Sequence, residues 1–182
     1  MNLHASVERD ERLRLFCALQ LPESVGGALE AWAEEHLPGR RVPRSQLHVT
    51  LAYLGPRSPA DRGPVAAALA AAVDDTEEIV FAAWRYRETR GVGMLELEDV
   101  EGAGARLAGR LYDRLEELGV YRRERRGWLP HVTALRFREP PGLRPPLPAL
   151  GRFSPSGAAV YHSVLRPTGP QYDVVESVAL GG

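Results

Sequence analysis

Lysine is absent from the 182 residues: all 23 basic side chains are arginine, set against 24 acids for a formal net charge of −1. So balanced a total excludes a general polyanion-binding surface, and any affinity for phosphate has to be local. Arginine offers phosphate a planar, bidentate fork that lysine does not. Cysteine is nearly absent as well. Cys17 stands alone in the apolar run LRLFCALQL, which excludes an intrachain disulfide and a cysteine zinc cluster. A reducing, cytoplasmic setting is the simplest expectation. No apolar run approaches the length of a bilayer span, and the start MNLHASVERDERLR lacks the apolar core of a signal peptide. The glycine-rich stretches Gly91–Gly93 and Gly102–Ala105 have neither the spacing nor the strand-to-helix context of a phosphate loop.

What is present reads as one α+β domain over 12–182 behind a flexible N-terminus over 1–11. The apolar run 13–21, bounded by Pro22, predicts a buried strand. Pro22 and the acids after it open a helix over 22–37, weakened by Gly26-Gly27. A strand over 47–54 ends at Gly55-Pro56, and an alanine-rich helix follows over 64–73. Two strands flank a turn at 89–91. Leu107, Leu111, Leu115 and Leu118 form the apolar stripe of the clearest helix, stopped by Gly119. A basic loop leads into a strand from His131, a proline-rich loop spans 138–151, and two strands flank RPTGP.

Two segments carry the chemistry. LHVTLAYLG (47–55) and PHVTALRF (130–137) each place His-Val-Thr in an apolar strand, 83 positions apart. Side chains alternate faces along a strand, so His48 and Thr50 share one face while Val49 buries on the other. His131 and Thr133 repeat this. Side by side, the strands would offer two imidazoles and two hydroxyls to one cleft. A neutral imidazole takes a proton from water, and a protonated one gives a proton to a leaving oxygen. With an ordinary pKa near ~6.5, histidine supplies both forms around neutral pH. The threonine hydroxyls suit phosphoryl oxygens. Hydrolysis of a phosphodiester needs nothing more from the chain, and no cofactor or metal is expected. A structural reading fits either motif alone, and the pairing argues against it. A metal site would need more ligands than two histidines. Arg40, Arg41 and Arg44 precede the first motif, and Arg122, Arg123, Arg125 and Arg126 the second, which would draw a nucleic-acid end toward the cleft. Phe16 and Trp128 are candidates for base stacking or for core packing, and His162 is a further candidate for the cleft.

The same segments resemble the two-histidine phosphoesterases, specifically the RNA 2′,3′-cyclic phosphodiesterases long labelled 2′-5′ RNA ligases. RLRLFCALQLPESV resembles that family's first strand and helix, LPGRRVPRSQLHVTLAYLG and PHVTALRF its two motifs, and VYHSVLRPTGPQYDVVESVAL its last two strands, from about Arg12 to Leu180. The resemblance implies a bilobal fold, with two antiparallel-rich sheets flanking a central cleft and helices outside. It implies metal-independent opening of a 2′,3′-cyclic phosphate on an RNA 3′ end to a 2′-phosphate; a phosphodiesterase acting on a small cyclic-phosphate nucleotide is the alternative, and a monomer is expected. Carried over by motif, His48 is the acid and His131 the base, Thr50 and Thr133 hold phosphoryl oxygens, and Arg136 assists with phosphate. Arg136 stands five residues after His131, an odd offset that faces it away from the cleft unless the strand bends, bulges or ends. Ala134-Leu135 also inverts the family's commoner Leu-Ala order. A nucleotide-binding module without turnover is the alternative from another class.

Overall fold

Nine strands, three α-helices and two short 3-10 helices (Arg44–Gln46 and Pro59–Asp61) make up the regular structure of residues 12–181, which are the residues the computed structural model describes. The expected flexible N-terminus, 1–11, lies outside them. In chain order the elements are β1 (Leu13–Gln20), α1 (Glu23–His36), β2 (Arg40–Arg41), β3 (His48–Arg57), α2 (Arg62–Asp74), β4 (Phe81–Glu88), β5 (Val92–Asp99), α3 (Ala103–Glu117), β6 (His131–Arg136), β7 (Arg152–Phe153), β8 (Gly157–Arg166) and β9 (Gly169–Val178). The strands run β7-β4-β5-β6-β3-β1-β8-β9, with β2 also on β6, and every pairing is antiparallel. The sheet thus has two halves of four strands. β4 with β5, β5 with β6, β1 with β3 and with β8, and β8 with β9 pair over long registers and the edge strand β7 over two residues, whereas the central β3 and β6 join through one registered pair, Val49 with Val132. The two sheets expected from the sequence are these halves, continuous across that single bridge.

One side of the sheet carries the core. Leu15, Leu19, Val49, Leu95, Val132 and Leu135 are fully buried there, with Val25, Leu29 and Trp32 of α1, Val65 and Leu69 of α2, and Leu107, Leu111 and Leu115 of α3. Each such leucine contributes roughly 1.5–3 kcal/mol through burial. Leu118, expected in the α3 stripe, is instead 44% exposed, because the helix closes at that residue. Gly119 follows with φ +70°, and its N–H and that of Val120 close back on the carbonyls of Glu116 and Leu115, the stop expected of that glycine. Arg44 lies over the Gly26-Gly27 pair, where added Cβ atoms would sit in ordinary contact with its guanidinium at 3.4 and 3.5 Å. Arg44 donates to the Glu23 carbonyl at 2.8 Å and pairs with the Glu23 and Glu30 carboxylates. That arginine, one of the basic set leading into the first motif, is tied to α1. No described helix is long and apolar enough to cross a membrane.

Candidate active site

The Val49–Val132 bridge is where the two motifs meet. In an antiparallel pair the neighbours of a bridged residue lie opposite one another. His48 therefore faces Thr133 across the strands, and Thr50 faces His131. A local two-fold axis between the valines exchanges one His-Val-Thr with the other. Both valines are fully buried on the helix side, which leaves the four polar side chains on the open side.

Each imidazole is aimed by the same device. His48 Nδ1 donates to the Gln46 carbonyl at 2.7 Å, and His131 Nδ1 donates to the Leu129 carbonyl at 2.9 Å. A carbonyl can only accept, so Nδ1 carries the hydrogen in both rings and Nε2 is left for the cleft. His48 Nε2 lies 3.1 Å from Thr50 Oγ1 and accepts from that hydroxyl when the ring is neutral. The two surroundings differ. Phe16 lies 5.1 Å from the His48 ring, Tyr172 5.5 Å and Tyr161 6.2 Å, centroid to centroid. This burial lowers the His48 pKa to about 4; the Gln46 hydrogen bond opposes it, and the positive charges of His131 and Arg136 add to it.

Arg136 reaches the cleft because β6 bulges. Thr133 pairs with Met94 of β5, but Leu135 pairs with Gly93, so Ala134 is an extra residue. Ala134 and Leu135 both bury, and Arg136 returns to the face of His131 and Thr133. β3 does the same against β1: Thr50 pairs with Ala18 and Ala52 with Cys17, so Leu51 is extra and Tyr53 returns to the cleft. Tyr53 and Arg136 thus hold equivalent positions, each five residues after its histidine. His48, Thr50, Thr133 and Arg136 line one cavity of about 150 Å³ with Phe16, Tyr53 and Tyr172. His131 opens into a neighbouring cavity of about 370 Å³ with Arg87, Met94 and Trp128, and Thr50 and Tyr53 are the wall between them.

The other candidates divide. Phe16 is buried but on the cleft side, stacked on Tyr161 at 5.0 Å. Trp128 packs on Phe81, and its indole N–H donates to the Thr50 carbonyl at 2.9 Å, so it fixes the first motif's backbone from behind. Gly104 makes room for it, since a Cβ there would meet the indole ring at 2.8 Å. His162 falls on the face opposite the cleft: it pairs with core residue Leu15, whereas its neighbour Tyr161 pairs with Phe16. Arg123 is held by Asp113 and Glu116, and Arg41 by the Leu37 carbonyl; both are structural. Sequence reading missed Tyr53, Tyr172 and the Arg85–Glu96–Arg87 cluster of β4 and β5. The spacing repeated in both motifs could have pointed to Tyr53. The others needed the strand register. No group of three or more His, Cys, Asp or Glu side chains converges as metal donors among the described residues.

Comparison with known proteins agrees with this architecture. Residues 21–168 match the 2′-5′ RNA ligase superfamily. The chain is 34% identical to an RNA 2′,3′-cyclic phosphodiesterase of Thermus thermophilus over 182 positions, covering 93% of this chain and 91% of that one. The crystal structure of TT0787 from Thermus thermophilus superposes with a TM-score of 0.72 at 30% identity, over 92% of this chain and 97% of its own. Escherichia coli LigT complexed with 3′-AMP shares the fold, with a TM-score of 0.78 at 22% identity, over 94% of this chain and all of its own. With two motifs meeting across one bridge and a family match over most of its length, the chain belongs to the 2′-5′ RNA ligase superfamily.

Proposed function

We propose that this protein hydrolyses the 2′,3′-cyclic phosphate at an RNA 3′ end to a 2′-phosphate, using His48 and His131 as acid and base and no metal. The observation that carries the reading is the two-fold pairing of the motifs, which sets His48 opposite Thr133 and Thr50 opposite His131, with each Nδ1 held on a backbone carbonyl and each Nε2 left for substrate. The activity named for the Thermus relative and the 3′-AMP complex of LigT support the substrate class. A reducing, cytoplasmic setting and a monomeric state complete the proposal, and the buried lone thiol fits the former.

Water attacks phosphorus while His131 Nε2 takes its proton. The P–O3′ bond breaks, and His48 gives a proton from Nε2 to O3′. The Thr50 and Thr133 hydroxyls and Arg136 hold the non-bridging oxygens as charge builds on them. His48 can serve as the acid only as imidazolium, since its Nδ1 hydrogen stays on Gln46. Burial, with the charges of His131 and Arg136 adding to it, holds its pKa at about 4 in the free protein, so it gains that proton only once the bound phosphate anion outweighs all three. The same low pKa favours a second reading in which His48 is the base and His131 the acid.

A short RNA ending in a 2′,3′-cyclic phosphate, incubated in excess EDTA and followed by phosphorus NMR, tests both levels. The expected product is the 2′-phosphate, with His48→Ala and His131→Ala each slower by about 10² or more, the usual worth of one general acid or base. Turnover that requires added metal would refute the mechanism. Saturable binding without turnover would leave a binding module. A substrate with sulfur in place of O3′ needs no acid, so the variant whose rate it restores identifies the acid.

A further inference from the structure

Glu96 is the one fully buried charged side chain among the described residues, and it lies directly beside His131 on the neighbouring strand. Arg85 Nε donates to its Oε2 at 2.6 Å, and Arg87 Nε pairs with its Oε1. The two arginine side chains are 52% and 40% exposed. They share a face with the site because β4 bulges: Ala83 pairs with Leu97 and Arg85 with Glu96, so Trp84 is extra. Trp84 lies exposed, with the Arg85 guanidinium stacked 4.5 Å from its ring centre.

Stability alone does not explain this trio. Burying a carboxylate is costly even when it is paired, and apolar side chains of similar volume usually do as well or better. What Glu96 provides is orientation. It engages both arginines through Nε, and no protein acceptor lies on their Nη groups among the described residues. The trio keeps a charge of +1 with four outward nitrogens. Arg87 opens into the same 370 Å³ cavity as His131. Two strand spacings place the Arg85 strand roughly 10 Å from that of His131, a span suited to one nucleotide. The 150 Å³ cavity on the His48 side is walled by Phe16 and Tyr172 and is below the size that takes a whole nucleotide. The cavity beyond Arg136 sets Glu30 and Glu34 against Arg40, Arg41 and Arg136, and Arg41 is held by the Leu37 carbonyl. In the His131 cavity the acid Glu124 is matched by Arg126.

We propose that Arg85 and Arg87, fixed by Glu96, bind the phosphodiester one nucleotide upstream of the cyclic phosphate, which makes an RNA chain a better substrate than a single nucleotide. This rests on the proposed function, and the test separates the two. Turnover is measured on a nucleoside 2′,3′-cyclic phosphate and on the dinucleotide with the same end. Binding is measured by calorimetry with the corresponding 2′-phosphates.

Arg87→Gln should weaken the dinucleotide about 10-fold more than the mononucleotide, in KM and in Kd, as expected for one charge-assisted contact. Arg87→Lys should restore a large share of that preference. A neutral methylphosphonate at the internal linkage should erase the difference between wild type and variant. Equal losses on both substrates would overturn the proposal, as would a selective loss in Arg40→Gln instead. Selective binding loss without turnover in the wild-type protein would keep the phosphate site and refute the hydrolase.

Discussion

His48 is a histidine made weakly basic by where it sits. Burial beside Phe16 and Tyr172 is the main cause, and the charges of His131 and Arg136 add to it. In a bell-shaped profile of kcat/KM the acid limb should therefore fall at about pH 4 rather than near the ordinary ~6.5. Arg136→Gln removes a lowering influence and should move that limb upward; a limb that stays put would show that Arg136 has no electrostatic hold on His48. Stability follows the same group. Between pH 6.5 and about 4 the unfolded chain binds a proton at this histidine that the folded chain refuses. The stabilisation is therefore complete above about pH 6.5 and is lost as pH falls toward about 4, by roughly 3 kcal/mol. Urea unfolding at about pH 7 and about pH 4.5, compared between wild type and His48→Gln, should show a smaller acid loss in the variant. The residue types of the site were legible in the sequence because His-x-Thr needs only strand alternation. The difference between the two histidines was not, because it comes from rings on β1, β8 and β9 that the chain brings in from far away.

At the scale of elements, bulges decide what the cleft contains. In a regular strand Arg136 would point into the core side, as the sequence's odd offset implied, and the extra Ala134 turns it back. Deleting Ala134 takes out the extra residue itself and leaves Leu135 and Arg136 in register with Gly93 and Val92, so regular alternation then carries Arg136 on the cleft face. KM for the cyclic phosphate should therefore rise far less than in Arg136→Ala. A loss as large as that of Arg136→Ala would mean that the bulge itself, and not register alone, places the arginine. The inverted Ala-Leu order at 134–135 falls on two positions that both bury on the core side. Gly104 is a second case where neighbours outweigh local preference. Gly→Ala inside a helix ordinarily gains up to about 1 kcal/mol, but here the new methyl meets the Trp128 ring at 2.8 Å. Overpacking of that kind costs about 1–3 kcal/mol, so Gly104→Ala should lower stability on balance and loosen the hold of Trp128 on the Thr50 backbone. Helix spans were readable from periodicity and caps. The two-residue strands β2 and β7 carry no such pattern and exist only through their partners.

For the whole molecule, two half-sheets share one core. Cys17 lies within it, fully buried, and burial pushes its thiol up to about 12. A thiol reagent at about pH 8 should therefore label it no faster than the protein opens, and labelling should follow the same denaturant dependence as global unfolding. Rapid labelling of the folded protein would mean that the core opens locally around β1 without global unfolding. The bilobal plan was legible because the chain writes its motif twice. The single Val49–Val132 bridge was not, because register between distant strands is set by packing across the whole sheet.

That bridge has a consequence for which product forms. A cyclic phosphate presents two ester oxygens, O2′ and O3′, in almost mirror-related positions, and His48, Thr50, His131 and Thr133 are themselves exchanged by rotation about the bridge. Those four side chains cannot by themselves tell one ester oxygen from the other. In the proposed reaction, regiochemistry falls instead to what differs around them: Phe16 and Tyr172 beside His48, Arg87 and Trp128 beside His131, and Tyr53 on one strand against Arg136 at the matching place on the other.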